Sequence, residues 1–345
     1  MNNNILIVGP AWVGDMVMAQ SLFKLLKQRN PHAKIDVLAP VWSLPLLARM
    51  PEVASAIVMP LGHGQLALRE RVRLGKSLRA NHYSQAIILP NSFKSALPAF
   101  WAHIPRRTGW RGEMRYIVLN DLRRLDKSRY PLMIERLMAL GLEPNEALPA
   151  TYPLPELQVS LEKQASVLQK FHLSAPTTPI LALCPGAEFG PAKRWPEKYY
   201  ADVANAKLKA GWQVWLFGSQ KDQATAEQIM QLTDQRCVNL TGKTQLEEAI
   251  DLLALAHRVV TNDSGLMHIA AALNKPLVAI YGPTSTAFTP PLNADAQIIQ
   301  LDLSCQPCFQ RHCPLQHHKC MQDLKPERVL AALDENSVAP PRSFC

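Results

Sequence analysis

The sequence has no apolar run long enough to cross a bilayer as a helix, which excludes a protein that spans the membrane on helices. It also lacks the composition of a collagen-like or disordered chain. With 345 residues, 48% of them apolar, it has no need of a small disulfide scaffold. Met-Asn-Asn-Asn at the start carries no positive charge, and the apolar run Ile5–Val8 is too short for a secretory leader. Seven cysteines without such a leader do not read as a disulfide framework. These absences lead to the expectation of a cytoplasmic chain of two ordinary domains.

The net charge of +9 is unevenly spread. Residues 1–150 carry 20 Lys and Arg against 10 Asp and Glu, whereas the remainder carries 17 against 18. A polarised distribution suggests that one domain meets an anionic partner.

Short β-branched runs alternate with helical periodicity, which implies α/β architecture with parallel sheets covered on both faces. Strands are expected at Ile5–Val8, Ile35–Leu38 and Ala86–Leu89, with a helix over 15–29 and helical patterning between the second and third strands. Prolines at 144, 149, 153 and 155 suit neither helix interior nor central strand, so this stretch reads as a connection between domains. After a helix near 160–171 the alternation restarts. Strands are expected at Ile180–Cys184, Val214–Phe217, Arg258–Thr261 and Leu277–Tyr281, and helices at 197–210, 222–232, 245–256 and 264–273. The expected domains are 1–155 and 156–345.

Five segments carry chemistry-bearing residues. Gly9-Pro10-Ala11-Trp12-Val13-Gly14-Asp15 joins the first strand to the first helix, where open α/β sheets bind ligands. It lacks the middle glycine of a dinucleotide fingerprint, and the second strand ends Leu38-Ala39-Pro40 with no acid for a ribose, which disfavours a nicotinamide dehydrogenase. Asp15 then reads either as a helix cap or as a general base. Pro185–Pro196 follows the second domain's first strand. Gly186 and Gly190 let backbone approach a ligand, and Lys193 adds positive charge, so it reads as a phosphate loop or as a solvated turn. In Thr261–His268, Asp263 and Ser264 are good cap residues, while a helix N-terminus beside Gly265 is an anion site; His268 faces either core or ligand.

Cys305, Cys308, Cys313 and Cys320, interleaved with histidines, leave three readings open: a structural metal, free thiols, or a redox or disulfide role. The basic residues of the first domain form the fifth group. Arg69, Arg71, Arg73, Lys76 and Arg79 read as a solvated helix face. Lys94 follows the strand at 86–89, and Arg106, Arg107, Arg111 and Arg115 lie in an expected loop, suited to phosphate or carboxylate. No nucleic-acid platform or recognition helix is evident.

Five long segments, GPAWVGDMVMAQSL, LPNSFKSAL, RTGWRGEMRY, PGAEFGPAKRWP and TNDSGLMHIAAALNKPLVAIYGPTS, together resemble glycosyltransferase family 9, the ADP-heptose:lipopolysaccharide heptosyltransferases. The resemblance covers almost the whole chain. It implies a glycosyltransferase-B fold: two Rossmann-like domains facing across a cleft, the first for the acceptor and the second for ADP-heptose. The last helix, about 325–336, is expected to cross back to the first domain. The implied reaction is inverting transfer of L-glycero-D-manno-heptose to the first heptose of the lipopolysaccharide inner core. Alternatives are transfer of the first or third heptose, a nucleotide-sugar epimerase on the same fold, or a metal-stabilised binding protein for anionic glycolipid or nucleic acid.

By this resemblance Asp15 is the catalytic base. Lys193, with Gly186 in its loop, binds the donor diphosphate, Asp263 contacts the heptose, and Ser264, Gly265 and His268 lie in the donor segment. Lys94, Arg111 and Arg115 are the candidate acceptor contacts. The loop reads Glu188-Phe189 where the pathway's first heptosyltransferase carries threonines, so contacts from such hydroxyls do not carry over. No catalytic metal is expected. The partners expected are ADP-heptose, the lipid A–Kdo–heptose acceptor and the anionic cytoplasmic face of the inner membrane.

Overall fold

The computed structural model describes residues 3–62 and 64–334. The chain divides into two compact units, one ending at Pro155 and the other beginning at Glu156. The first contains β1 (Asn4–Val8), α1 (Val13–Arg29), β2 (Lys34–Ala39), α2 (Leu44–Leu47), β3 (Val53–Val58) and α3 (Leu68–Leu78). It continues with β4 (Gln85–Ile88), α4 (Phe93–Trp101), β5 (Arg106–Trp110), β6 (Asp121–Arg123) and α5 (Met133–Met138). Its six strands are all parallel, in the order β3-β2-β1-β4-β5-β6. The two central strands, β1 and β4, carry unbroken apolar runs because a parallel sheet is covered on both faces; Leu6, Ile7, Ile87 and Ile88 are fully buried.

The second unit contains α6 (Leu161–Lys170), β7 (Ile180–Cys184), α7 (Glu197–Lys209), β8 (Gln213–Leu216), α8 (Gln223–Leu232) and β9 (Val238–Asn239). After these come α9 (Leu246–Leu253), β10 (Arg258–Asn262), α10 (Gly265–Ala272), β11 (Leu277–Ile280), β12 (Ala296–Ile299), α11 (Lys319–Gln322) and α12 (Pro326–Asp334). The order is β12-β11-β10-β7-β8-β9, again parallel. Counted from its own first strand, each sheet follows the doubly wound order 3-2-1-4-5-6. The chain therefore reverses direction across the sheet between β1 and β4, and again between β7 and β10. Such switch points open a crevice at the carboxyl ends of the strands.

The structure corrects several local expectations. The stretch between β2 and β4 is not wholly helical, because β3 pairs on β2 at the sheet edge with no fully buried residue. Arg106–Trp110 is a strand and not a loop. Its two arginines are held by the protein: Arg106 donates to Asp121 and Glu143, and Arg107 to the carbonyls of Ile104 and Val118. The last helix packs on α7, β11 and β12 of its own unit, with Val329, Ala332 and Leu333 joining that core beside Trp195 and Tyr200. Residues 335–345, including the end of the segment expected to cross back, lie outside the described residues. Among the described residues no helix is long and apolar enough to cross a membrane.

Candidate active site

Both switch points carry the residues singled out by sequence. In the first unit, Asp15 occupies the first turn of α1, just past the carboxyl end of β1. The N-cap position belongs to Trp12, so Asp15 is not the capping residue; it sits where a helix N-terminus favours negative charge. Across the switch point, Lys94 lies in the first turn of α4, and its carbonyl accepts from Arg71 Nη1 at 3.1 Å. Arg71 itself was expected on a solvated face. It is buried instead, donating also to the carbonyls of Gln65 and Leu66, and so ties that segment to the start of α4.

Arg111 and Arg115 take opposite places. Arg111 is exposed, its guanidinium over the Tyr116 ring at 5.6 Å. Arg115 is only 1% exposed. Its guanidinium donates to Pro90 O at 2.6 Å, to Asn91 Oδ1 at 3.2 Å and to the Trp110 carbonyl. Burial pushes its pKa down to about 10, against the opposing pull of Glu113. A guanidinium so occupied is not free to grip an acceptor anion. Its place is behind the loop, joining the carboxyl ends of β4 and β5.

In the second unit, the loop after β7 and the turn after β10 meet through side chains. Lys193 Nζ donates to Asp263 Oδ2 at 2.6 Å, both side chains being largely buried. Thr284, in the turn after β11, donates to the same oxygen at 2.6 Å. The Phe189 ring lies 4.9 Å from Lys193 Nζ and 5.5 Å from the Arg311 guanidinium, so the residue that departs from the threonine pattern steers the lysine. Glu188 turns away to pair with Lys221.

Asn262 bolts these parts together. Its Nδ2 donates to Pro185 O at 2.6 Å, while its Oδ1 accepts from the Trp195 N–H and the Tyr200 hydroxyl. Neither Asn262 nor Thr284 was singled out by sequence, although each is a polar residue at the carboxyl end of a buried strand. Gly186 and Gly190 have packing reasons of their own. A Cβ at Gly186 would stand 2.5 Å from Asp222 Oδ2, and one at Gly190 would stand 2.6 Å from Arg311 O.

The cap reading of Asp263 and Ser264 does not hold. The Asp263 carboxylate goes to Lys193 and Thr284, and Ser264, at the N-cap of α10, makes no side-chain cap bond. The amides at this helix terminus are therefore not taken by either expected cap, and a helix end of this kind favours negative charge. His268 is buried one turn in. Desolvation pushes its pKa down to about 4, with Asp263 pulling up and Lys193 pushing down, so the imidazole is neutral near pH 7.

The matching family model is glycosyltransferase family 9 (heptosyltransferase), over residues 71–319. The chain belongs to glycosyltransferase family 9. Within that family it is 51% identical to lipopolysaccharide heptosyltransferase 2 of Salmonella typhimurium, over 95% of this chain and 97% of the relative. It is 50% identical to lipooligosaccharide heptosyltransferase 2 of Haemophilus influenzae, over 96% and 99%. It also matches the solved structure of E. coli ADP-heptose LPS heptosyltransferase II at 48% identity and TM-score 0.86, covering 96% of this chain and 97% of that one. The fold of this family 9 glycosyltransferase is thus of the glycosyltransferase-B type.

The four clustered cysteines are free. All four, with His317, line one small cavity beside Ala192 and Pro283. Burial, reinforced by the neighbouring thiols, pushes Cys320 up to about 11. The donor set is chemically soft, as a structural metal would require. Among the described residues, however, no three His, Cys, Asp or Glu side chains are arranged to hold an ion.

Proposed function

We propose that the chain moves L-glycero-D-manno-heptose from ADP-heptose onto the first heptose of the lipopolysaccharide inner core, inverting the anomeric centre. The observation that carries this reading is 51% identity across nearly the full length of a lipopolysaccharide heptosyltransferase 2. The switch-point geometry of both units supports it.

In this reading Asp15 accepts the proton of the acceptor hydroxyl as its oxygen attacks the anomeric carbon. The bond from that carbon to the diphosphate oxygen breaks on the opposite face, and ADP leaves with the electron pair. Charge grows on the departing diphosphate. Lys193 and the amide end of α10, with Ser264 and Gly265, stabilise it there, beside the loop carrying Gly186. Lys193 rests on Asp263 before the donor arrives and exchanges that carboxylate for phosphate oxygen, which frees Asp263 for the sugar hydroxyls. Neutral His268 backs the site without adding charge to it.

Lys94 and Arg111 are the proposed acceptor contacts. Arg115 acts through the loop it holds and touches no acceptor anion. The acceptor is lipid-linked in this reading, so the basic first unit suits reversible attachment to the anionic cytoplasmic face of the inner membrane. The test is ADP release from ADP-heptose with and without a lipopolysaccharide precursor. Release only with the precursor supports transfer, and sugar isomerisation without any acceptor identifies an epimerase.

A further inference from the structure

Two of the charged residues in the loop leaving β5, Arg111–Ile117, are taken up by the protein itself. Arg115 is buried against carbonyls, and the Glu113 carboxylate accepts the Phe93 N–H at 2.7 Å. Gly112 presses on Asn91 so closely that a Cβ would stand 2.2 Å from Asn91 O, and the Glu113 N–H donates to the same carbonyl. Three large apolar side chains of the loop are turned outward: Met114 is 83% exposed, Ile117 83% and Tyr116 54%. The loop cannot hide them by rotating, because that would strip the buried Arg115 of its acceptors, a costly loss in a dry interior, and would release the Phe93 amide from its carboxylate.

The flanks of this apolar tip are basic. Exposed Arg111 lies over Tyr116, and its N–H is bonded to the carbonyl of Arg123, next to exposed Arg124. Lys94 adjoins Phe93, whose amide Glu113 holds. Glu113, the one acid within the loop, is engaged by that bond. Apolar side chains ringed by lysine and arginine are the chemistry of an interfacial anchor: the apolar tips enter the headgroup boundary while the cations meet lipid phosphates.

We infer that the Arg111–Ile117 loop is the surface by which the first unit docks on an anionic lipid bilayer, with Met114, Tyr116 and Ile117 inserted between headgroups. The occupant is a membrane and not a second copy of the chain, because two faces of this basic unit would repel one another. This deepens the membrane attachment proposed above and places it at the carboxyl edge of the sheet that carries Asp15, where a lipid-linked acceptor would be presented.

The test is co-sedimentation of the full chain with phosphatidylglycerol-rich and with pure phosphatidylcholine vesicles, for the parent and a Met114→Ser, Ile117→Ser double variant. The parent is expected to bind the anionic vesicles in a salt-sensitive way. The double variant is expected to bind at least about tenfold more weakly with its circular dichroism unchanged. Turnover of a deacylated, water-soluble acceptor is expected to stay within about twofold of the parent, while turnover of the vesicle-embedded acceptor falls. Unchanged vesicle binding overturns the inference. So does an equal loss on both acceptors, which would make the tip part of the sugar site. If no acceptor turns over at all, the proposed reaction fails but the vesicle measurement still decides the docking surface.

Discussion

Lys193 and Asp263, seventy positions apart in the chain, share a hydrogen bond of 2.6 Å at the carboxyl ends of β7 and β10. The pair joins the loops that follow β7 and β10, the two strands on either side of the switch point of the second sheet. In the proposed reading, a lysine held this way waits at the diphosphate site until the donor displaces the carboxylate.

Lys193→Ala is expected to weaken ADP binding by about 10- to 100-fold, the loss of a charge-assisted contact in a partly dry site. Calorimetry with ADP checks this, and unchanged affinity refutes the role. Thr284→Val, which removes the second donor to Asp263 Oδ2, is expected to raise the KM for ADP-heptose with little change in kcat. Thr284→Ser restores it.

Asp15→Asn is expected to lower kcat by about 10²- to 10⁴-fold, the usual worth of a general base. ADP affinity should be unaltered, because Asp15 and the ADP contacts belong to different units. Turnover near the parent level would leave Asp15 only the helix-terminus role that its first-turn position allows.

His268 makes stability depend on pH. Its folded pKa, about 4, lies below the ordinary histidine value of 6.5, so between the two the unfolded chain binds the proton and the folded chain does not. The contribution is complete above the ordinary value and is lost as pH falls from there towards 4, at up to about 1.4 kcal/mol per pH unit. Urea unfolding at several pH values is expected to show this slope, and His268→Gln is expected to flatten it.

Arg115→Met is expected to destabilise the first unit by about 2–4 kcal/mol, since it leaves the loop carbonyls of Pro90 and Trp110 without their donor. Arg111→Met, at an exposed position, is expected to cost stability little while raising the acceptor KM. Chemical denaturation and acceptor kinetics on the two variants separate a loop strut from a contact.

Thiol reactivity should follow burial. Iodoacetamide is expected to modify Cys305, Cys308 and Cys313 in the native protein well before Cys320, whose thiolate is disfavoured by burial and by its neighbours. Peptide mass spectrometry reads the order, and early labelling of Cys320 would contradict it.

The centre of each sheet was readable because its strands are buried on both faces and appear as unbroken apolar runs, as in Ile5–Val8 and Ile180–Cys184. Their carboxyl-end loops then pointed to Asp15, Lys193 and Asp263. The outer strands were not readable: β3 and β9, at sheet edges, have no fully buried residue and only two residues respectively, and β5, next to the edge strand β6, opens with two arginines. The burial of Arg115 was unreadable for a different reason. An arginine's burial depends on which carbonyls the fold gathers around it, and those of Pro90 and Ser92 lie more than twenty positions away. The Lys193–Asp263–Thr284 grouping is likewise tertiary, since no local spacing announces it.

The choice of acceptor is decided by lipopolysaccharide precursors carrying zero, one or two heptoses, each incubated with ADP-heptose and followed by mass spectrometry. The one-heptose precursor is predicted to gain a single heptose at the highest kcat/KM. Preference for the heptose-free or the two-heptose precursor would contradict the claim.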